Sequence, residues 1–392
     1  MSHLNVLGID TSKKSFFLHM NDNRGKTIFR KELKRDRFLA EIANTSKCTV
    51  ILEACGSSHH WGREIRKLGH EVKLIPVQHV IPFRKSNKND RNDAEAIAEA
   101  GSRGNMNFVA VKEIWQQDIQ LLHRVRQRYI RNQTSLVNEV RGLVAEYGIF
   151  IAEGINSVRG FLPEVIQGKE GDLSLMVRGV LGRLHEELLC VTDNIEEVDK
   201  RLEQFAEEHD VCRRLDEIEG VGPITATALV ASCGDPHSFK NGRQFAARLG
   251  LVPGHTQTGG KNSAPVMLGI TKKGDSYLRY LLVQGGMCLV RATQRTAKND
   301  AQTTRVEHVH SDVAQKEKEK DAPRRTRKKP NSVQEKFHKS EPRRAWLKRL
   351  IDERGSQKAA VAMANKNARI AWVILTKGAK YDPQKCFGKA VE

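Results

Sequence analysis

The sequence predicts an α/β N-terminal domain followed by a mostly helical remainder, and three observations point there. Between residues 4 and 76, short apolar runs of strand length alternate with segments of helical spacing. From Ile114 to Glu208, apolar residues recur three and four apart with few glycines or prolines before Gly148. Residues 215–290 form a further compact stretch, which gives way at Thr293 to polar, basic sequence.

Each element follows in order. Residues 4–9 read as a buried strand, Phe16–Met20 as a second and Thr27–Leu33 as a third, in hairpin-like succession. Arg37–Ala43 is helix-like. Cys48–Glu53 is apolar and partly β-branched, as a buried strand requires. His60–Leu68 alternates apolar and basic residues at helical spacing, and Val72–Pro76 is another short strand. Asp93–Ala100 has helix composition with Asp93 at or near the N-terminus. This gives a mixed α/β domain over residues 1–110. Residues 111–212 form a long helical hairpin or coiled coil, its first half marked by Ile119, Leu122, Val125, Tyr129 and Ile130. Residues 213–292 and 343–380 form a mostly helical C-terminal domain. The intervening 293–342, with its run Pro323–Pro330 of arginines and lysines, reads as a basic, flexible insertion.

Composition narrows the function. The formal net charge of +19 predicts attraction to polyanions, of which nucleic acid is the commonest. The seven cysteines are odd in number and contain no C-x-x-C pair, which argues for reduced thiols in the cytoplasm and against a zinc ribbon. No apolar run approaches the ~20 residues of a membrane span, and no signal sequence precedes the first strand.

Four acids carry the chemistry. Asp10 ends one apolar strand and Glu53 ends another, and a carboxylate there is costly to bury unless it meets a cation or a strong donor. Asp90 and Asp93 lie three apart at a helix start, on one face. Hard oxygen donors from separate elements suit Mg²⁺, with Mn²⁺ as substitute, and two such ions support phosphoryl transfer. Taken singly, Asp10 is equally a turn residue and Asp93 an N-cap. Arg124, Arg126, Arg128 and Arg131 on the first long helix form either a phosphate-facing surface or a solvated face. Gly220 and Gly222, ahead of Pro223, read as a helix–hairpin–helix turn whose amides hold a phosphate, or as a plain structural turn. The loop from Pro253 to Lys261 is rich in hydroxyls and glycine. Lys261, Lys272, Lys273 and Arg279 are candidate phosphate clamps, with a solvated face as the alternative.

The blocks G-I-D-T-S-K, L-E-A-C-G-S-S-H-H-W and K-N-D-R-N-D-A-E-A-I-A resemble those of the DEDD transposases of bacterial insertion sequences. The likeness continues at V-N-E-V-R-G-L-V-A-E-Y-G, at Ile218–Pro223, at Leu249–Pro253 and at Ile270–Asp275. The closing A-M-A-N-K-N-A-R-I-A-W is similar to the subgroup with a longer C-terminal region. The resemblance covers nearly the whole chain outside 293–342. It implies an RNase H-like, RuvC-like N-terminal domain, with Asp10, Glu53, Asp90 and Asp93 as the metal-binding set. It also implies a nucleophilic serine just before the glycine of the loop, where this sequence has Thr258; Thr256 and Ser263 are neighbouring hydroxyls. Further implications are a structured noncoding RNA that bridges donor and target DNA, a covalent hydroxyl–phosphate intermediate, and sites shared between subunits of a dimer or tetramer. The rival readings are a RuvC-like nuclease that uses activated water, and a non-catalytic nucleic-acid-binding protein descended from a transposase.

Overall fold

The computed structural model describes all residues except 1–4, 13, 85–89, 105, 169–170, 257–265, 314–340 and 388–392; for 90, 266–267, 298–313 and 341 it describes the backbone alone. The chain divides into two compact units, Met1–Asp118 with Ala231–Asp235, and Ile119–Val230 with Pro236–Glu392.

The first unit runs β1 (Val6–Thr11), β2 (Ser15–Asn21), β3 (Thr27–Lys34), α1 (Phe38–Asn44), β4 (Thr49–Glu53), α2 (Ser58–Lys67), β5 (Glu71–Ile75), α3 (Val77–Val80) and α4 (Asp90–Gly101). The sheet has the order β3-β2-β1-β4-β5. β1–β2–β3 is an antiparallel meander, whereas β4 and β5 join parallel to β1, with Ile9 opposite Leu52. The apolar runs of β1 and β4 are central strands, buried on both faces as such runs predict. β3 is an edge, and its exposed charges reach back to α4 through Arg30–Glu95 at 2.8 Å.

Alternation along the strands sorts the two faces. Leu7 and Ile9 join Phe16, Phe38 and Trp61 in a core beneath α1 and α2. There Phe16 stacks on Phe38 at 4.2 Å and both meet the Trp61 ring edge-on. Ile51 and Ile75 pack with Ala96, Ile97 and Ala100 of α4 on the opposite face. Gly8 is what lets α4 approach: a Cβ at that position would lie 2.5 Å from both the Ala94 carbonyl oxygen and the Ala98 nitrogen. The helix begins at Asp90, earlier than the expected Asp93, so Asp93 occupies its first turn.

The second unit continues with α5 (Ile114–Ala145), α6 (Ile155–Ile166), α7 (Leu175–Glu208), α8 (Asp210–Asp216), α9 (Pro223–Cys233), α10 (Gly242–Arg248), β6 (Pro253–Thr256), β7 (Val266–Ile270), α11 (Ser276–Val313), α12 (Glu341–Arg354), α13 (Ser356–Lys377) and α14 (Pro383–Phe387). α5 and α7 form the expected hairpin. Ile119, His123, Arg126, Ile130, Gln133, Val137, Val140 and Val144 follow alternating steps of four and three along α5, a heptad seam. Gln133 donates to Thr192 at 2.8 Å and Arg126 to Asp199 at 3.2 Å, so one heptad back on α5 is one heptad forward on α7, and the helices are antiparallel. α6 closes the apolar end of this pair through Val158 and Leu162.

In the C-terminal part α11 packs on α13 at Gly286 and on the Gly220 turn at Gly285. A Cβ on Gly285 would meet the Gly220 carbonyl oxygen at 1.8 Å, and one on Gly286 the Ala360 carbonyl oxygen at 2.4 Å. α11 extends to Val313, further into the basic 293–342 segment than its composition suggests. Its Ala, Gln, Lys and Arg are good helix formers, and burial is not needed to keep them helical. Among the described residues, no helix is long and apolar enough to cross a membrane.

Candidate active site

Asp10 and Glu53 stand at the C-terminal ends of adjacent parallel strands, one residue beyond the Ile9–Leu52 pair. By strand alternation Asp10 shares the face of Gly8, and Glu53 that of Ile51, which is the α4 face in both cases. Asp93 adjoins Ala94, whose carbonyl lies over Gly8. The sheet and α4 therefore bring three of the four expected acids to one side of one sheet end. For the fourth, Asp90, only the helical backbone is described.

Their surroundings are not those of solvent-facing acids. The Asp93 side chain is only 7 % exposed, and its Oδ1 lies 2.6 Å from Arg84 Nε. The N–H is not aligned on that oxygen, so both buried atoms lack a well-formed hydrogen bond. Asp10 and Glu53 each engage neighbouring groups as well. Among the described residues, no three acidic, histidine or cysteine side chains converge as an ion-binding cluster. The buried Asp93 oxygen without a well-formed hydrogen bond and the strand-end carboxylates of Asp10 and Glu53 are hard oxygen donors, the donor chemistry that suits a divalent ion. Sequence reasoning missed Arg84. It lies in the basic stretch F-R-K-S-N-K, where nothing distinguishes one inward cation from its solvated neighbours.

Thr258, Lys261 and Ser263 lie outside the described residues; the strands β6 and β7 that flank them pair antiparallel, and Thr256 is exposed. Next to this hairpin, the two blocks Leu249–Pro253 and Ile270–Asp275 cross. Lys272 adopts φ 54 and donates its N–H to the Gly250 carbonyl, and a Cβ on Gly274 would meet the Arg248 carbonyl oxygen at 1.8 Å. Arg279 donates to the Leu249 and Lys273 carbonyls at 3.1 and 3.4 Å, so its guanidinium locks this crossing. Lys272 and Lys273 are exposed.

The other basic candidates divide. Arg124, Arg128 and Arg131 are exposed and follow steps of four and three, one stripe on α5. Arg126 lies in the seam instead, paired with Asp199 and with its side chain 16 % exposed. Gly220 has φ +83 and packs against Gly285, whereas Gly222 faces open space at the start of α9. The carbonyl of the neighbouring Glu219 accepts from Asn367, and its carboxylate lies 2.7 Å from Arg343. The glycine turn is thus wedged between α11 and the C-terminal helices.

A second buried network anchors α5. His123 Nε2 is 3.1 Å from Thr227 Oγ1, and Nδ1 is 3.0 Å from the Tyr277 hydroxyl. Thr227 donates its own proton to the Pro223 carbonyl, so it accepts from Nε2–H. Nδ1 then accepts from Tyr277, whose oxygen faces Arg126. The imidazole is neutral in this arrangement, and burial, aided by the Arg126 charge, pushes its pKa down to about 4. A base depressed in the folded state stabilises it fully above its unfolded pKa and loses that contribution as pH falls. On the order of 3 kcal/mol should disappear between about pH 6.5 and 4. Urea unfolding at pH 7 and pH 4.5 checks this; His123→Gln should flatten the difference.

Comparison with known proteins fits this arrangement. Residues 7–149 match the DEDD transposase family of the IS110 type, and residues 212–302 match the "Transposase IS116/IS110/IS902 family". The chain is 37 % identical, over 97 % of its length and 92 % of the relative's, to the transposase for insertion sequence element IS1111A of Coxiella burnetii. It is 36 % identical to a probable family 20 transposase of Pseudomonas aeruginosa, over 97 % of this chain and 99 % of that one. The transposase for insertion sequence element IS1328 of Yersinia enterocolitica is 33 % identical over 96 % and 98 %.

Proposed function

Because the chain belongs to the IS116/IS110/IS902 family of transposases, we propose that it cuts and rejoins the DNA strands of an insertion sequence at its Asp10–Glu53–Asp90–Asp93 site. The observation that carries this reading is the placement of Asp10, Glu53 and Asp93 on one face of one sheet end, beneath α4. These carboxylates would hold Mg²⁺, with Mn²⁺ as substitute, and a bound ion would supply charge stabilisation at the phosphate under attack. Arg84 serves as the counter-charge of Asp93, lying 2.6 Å from its buried carboxylate.

Thr258 is the attacking hydroxyl of this reading. As its Oγ–phosphorus bond forms, the bond from phosphorus to one ribose oxygen breaks. The threonine proton passes to a base, and the departing oxygen takes one up. The phosphodiester is conserved as a protein–DNA link, so rejoining is the same step reversed. A bulky β-branched nucleophile turns slowly, so Thr258→Ser should match or exceed the wild-type rate. A structured noncoding RNA would choose donor and target by pairing, leaving protein to hold backbones. The charge of +19 and the exposed Arg124–Arg128–Arg131 stripe support a polyanion of that size. Subunits of a dimer or tetramer would share sites, the carboxylates of one acting with the hydroxyl of another.

The test is to trap the protein on a nicked substrate carrying the element's end and analyse the peptide spanning 254–272 by mass spectrometry. Nucleotide mass on Thr258, absent in Thr258→Ala, is expected. Mass on Thr256 or Ser263 would relocate the nucleophile. Efficient cutting by Thr258→Ala with free 5′-phosphate ends would mean that water attacks and that the chain is a RuvC-like nuclease.

A further inference from the structure

A wide cleft lies within the second unit, among the C-terminal helices. Its volume is about 1830 Å³, above the ~300–1,000 Å³ of small-molecule pockets and therefore suited to a polymer. Its lining contains eight lysines and arginines against one carboxylate, Asp382, and that acid already meets Lys385 at 3.7 Å. Among the described residues, Arg243, Lys358 and Arg369 have no carboxylate partner, and all three are exposed. The rest of the lining is different in kind, with Val361, Ile370 and Val373 of α13, Leu268 of β7 and Trp372 contributing apolar surface. Lys366 lies over the Trp346 ring, which shares the lining, at 4.9 Å and over the buried Phe387 ring at 4.1 Å.

Basic rims beside an apolar, aromatic lining match one chemistry. A duplex presents phosphates outward and hides its base faces, so it would satisfy the rims and leave the apolar lining bare. A single strand offers both: phosphates for the rims and base faces for the apolar lining. An acidic protein segment would neutralise the rims, but it has no regular repeat of charge alternating with flat apolar rings. We propose that this cleft, between α10, β7, α13 and the 379–386 segment, is a binding site for single-stranded polynucleotide. The site passes beside the β6–β7 hairpin, whose loop carries Thr258. It is independent of which group attacks the phosphate, and it stands even if the strand-cutting reading fails.

The test uses the full chain and fluorescence anisotropy with fluorescein-labelled oligo(dT), oligo(U) and an oligo(dT)·oligo(dA) duplex. The variants are Arg243→Ala/Lys358→Ala/Arg369→Ala and, separately, Val373→Asp, which places an anion in the apolar lining at a position 37 % exposed. The triple variant should bind oligo(dT) at least ~10-fold more weakly and flatten the slope of log affinity against log salt by about 2, since each single-strand phosphate contact contributes ~0.7. Val373→Asp should weaken the same complex without altering thermal stability, and duplex affinity should change less in both. A parallel loss with oligo(U) assigns the site to either strand chemistry; a loss with only one of the two assigns it to DNA or to RNA. Unchanged affinity and slope in both variants would overturn the proposal, as would an equal loss for the duplex. So would a change in oligomeric mass with nucleic-acid binding intact, which would make the cleft a protein-docking surface.

Discussion

Gly8→Val should unseat α4 and take strand cleavage with it. Alternation directs the new side chain at the helix backbone, and the Cβ alone would lie 2.5 Å from Ala94 O, 2.5 Å from Ala98 N and 2.7 Å from Ala98 Cβ. Backbone atoms cannot rotate away as a side chain end can, so the helix must translate. Overpacking of this kind destabilises by about 3 kcal/mol or more when no rotamer relieves it. α4 is also close-packed at its other end, where a Cβ on Gly101 would lie 2.4 Å from Ile51 Cγ1, so a shift at Gly8 cannot be absorbed by simple pivoting. The helix carries Asp90 and Asp93, while the strand carries Asp10. Separating them should abolish cutting even in whatever fraction stays folded. Gly8→Ala should fall between. Thermal unfolding with and without Mn²⁺ reads the effect: the valine variant should unfold at lower temperature and gain little from the ion. Wild-type stability would mean that the helix does not rest on Gly8.

Breaking the Glu219–Arg343 pair from one side should be the most damaging single change in the second unit. The two side chains are 6 % and 2 % exposed and meet at 2.7 Å. Burial raises the Glu219 pKa and lowers that of Arg343, in each case against the pull of the partner. Desolvation therefore outweighs attraction on both sides, which is the usual balance for a buried ion pair. Arg343→Met leaves a carboxylate buried with its main counter-charge gone and should cost about 3–5 kcal/mol. Glu219→Leu combined with Arg343→Met should recover most of that loss, because the double change removes the stranded charge as well as the pair. Urea unfolding of the two single variants and the double variant gives the coupling directly. Additive losses would show that the two charges act independently.

The sheet was readable because its central strands are buried on both faces, and apolar runs such as V-I-L-E have few other solutions. The helical hairpin was readable from spacing, but its polar seam was not. Composition groups Arg126 with Arg124, Arg128 and Arg131, whereas its step from Ile119 and His123 places it with the seam positions. The heptad contains that signal. The partner, Asp199, lies on a helix far along the chain, which no local pattern names. Arg343 was obscured for a related reason, since it follows a long basic run and looks like its continuation. Only the fold pairs it with Glu219. The acids of the site were legible individually as strand-end and helix-start residues. That three of them share a face depends on Gly8, whose absent side chain is easily passed over in G-I-D.

The direct test of the account is strand cleavage by the purified full-length protein on DNA carrying the element's ends, with Mg²⁺ present or chelated. Asp10→Asn, Glu53→Gln and Asp93→Asn should each keep the wild-type circular dichroism spectrum and lose at least ~10³-fold in rate, an increase of about 4 kcal/mol in the barrier. Chelation should stop the wild-type protein equally. Wild-type rates in any of the three variants, or cutting undiminished without divalent ions, would contradict a carboxylate-held metal at the sheet end.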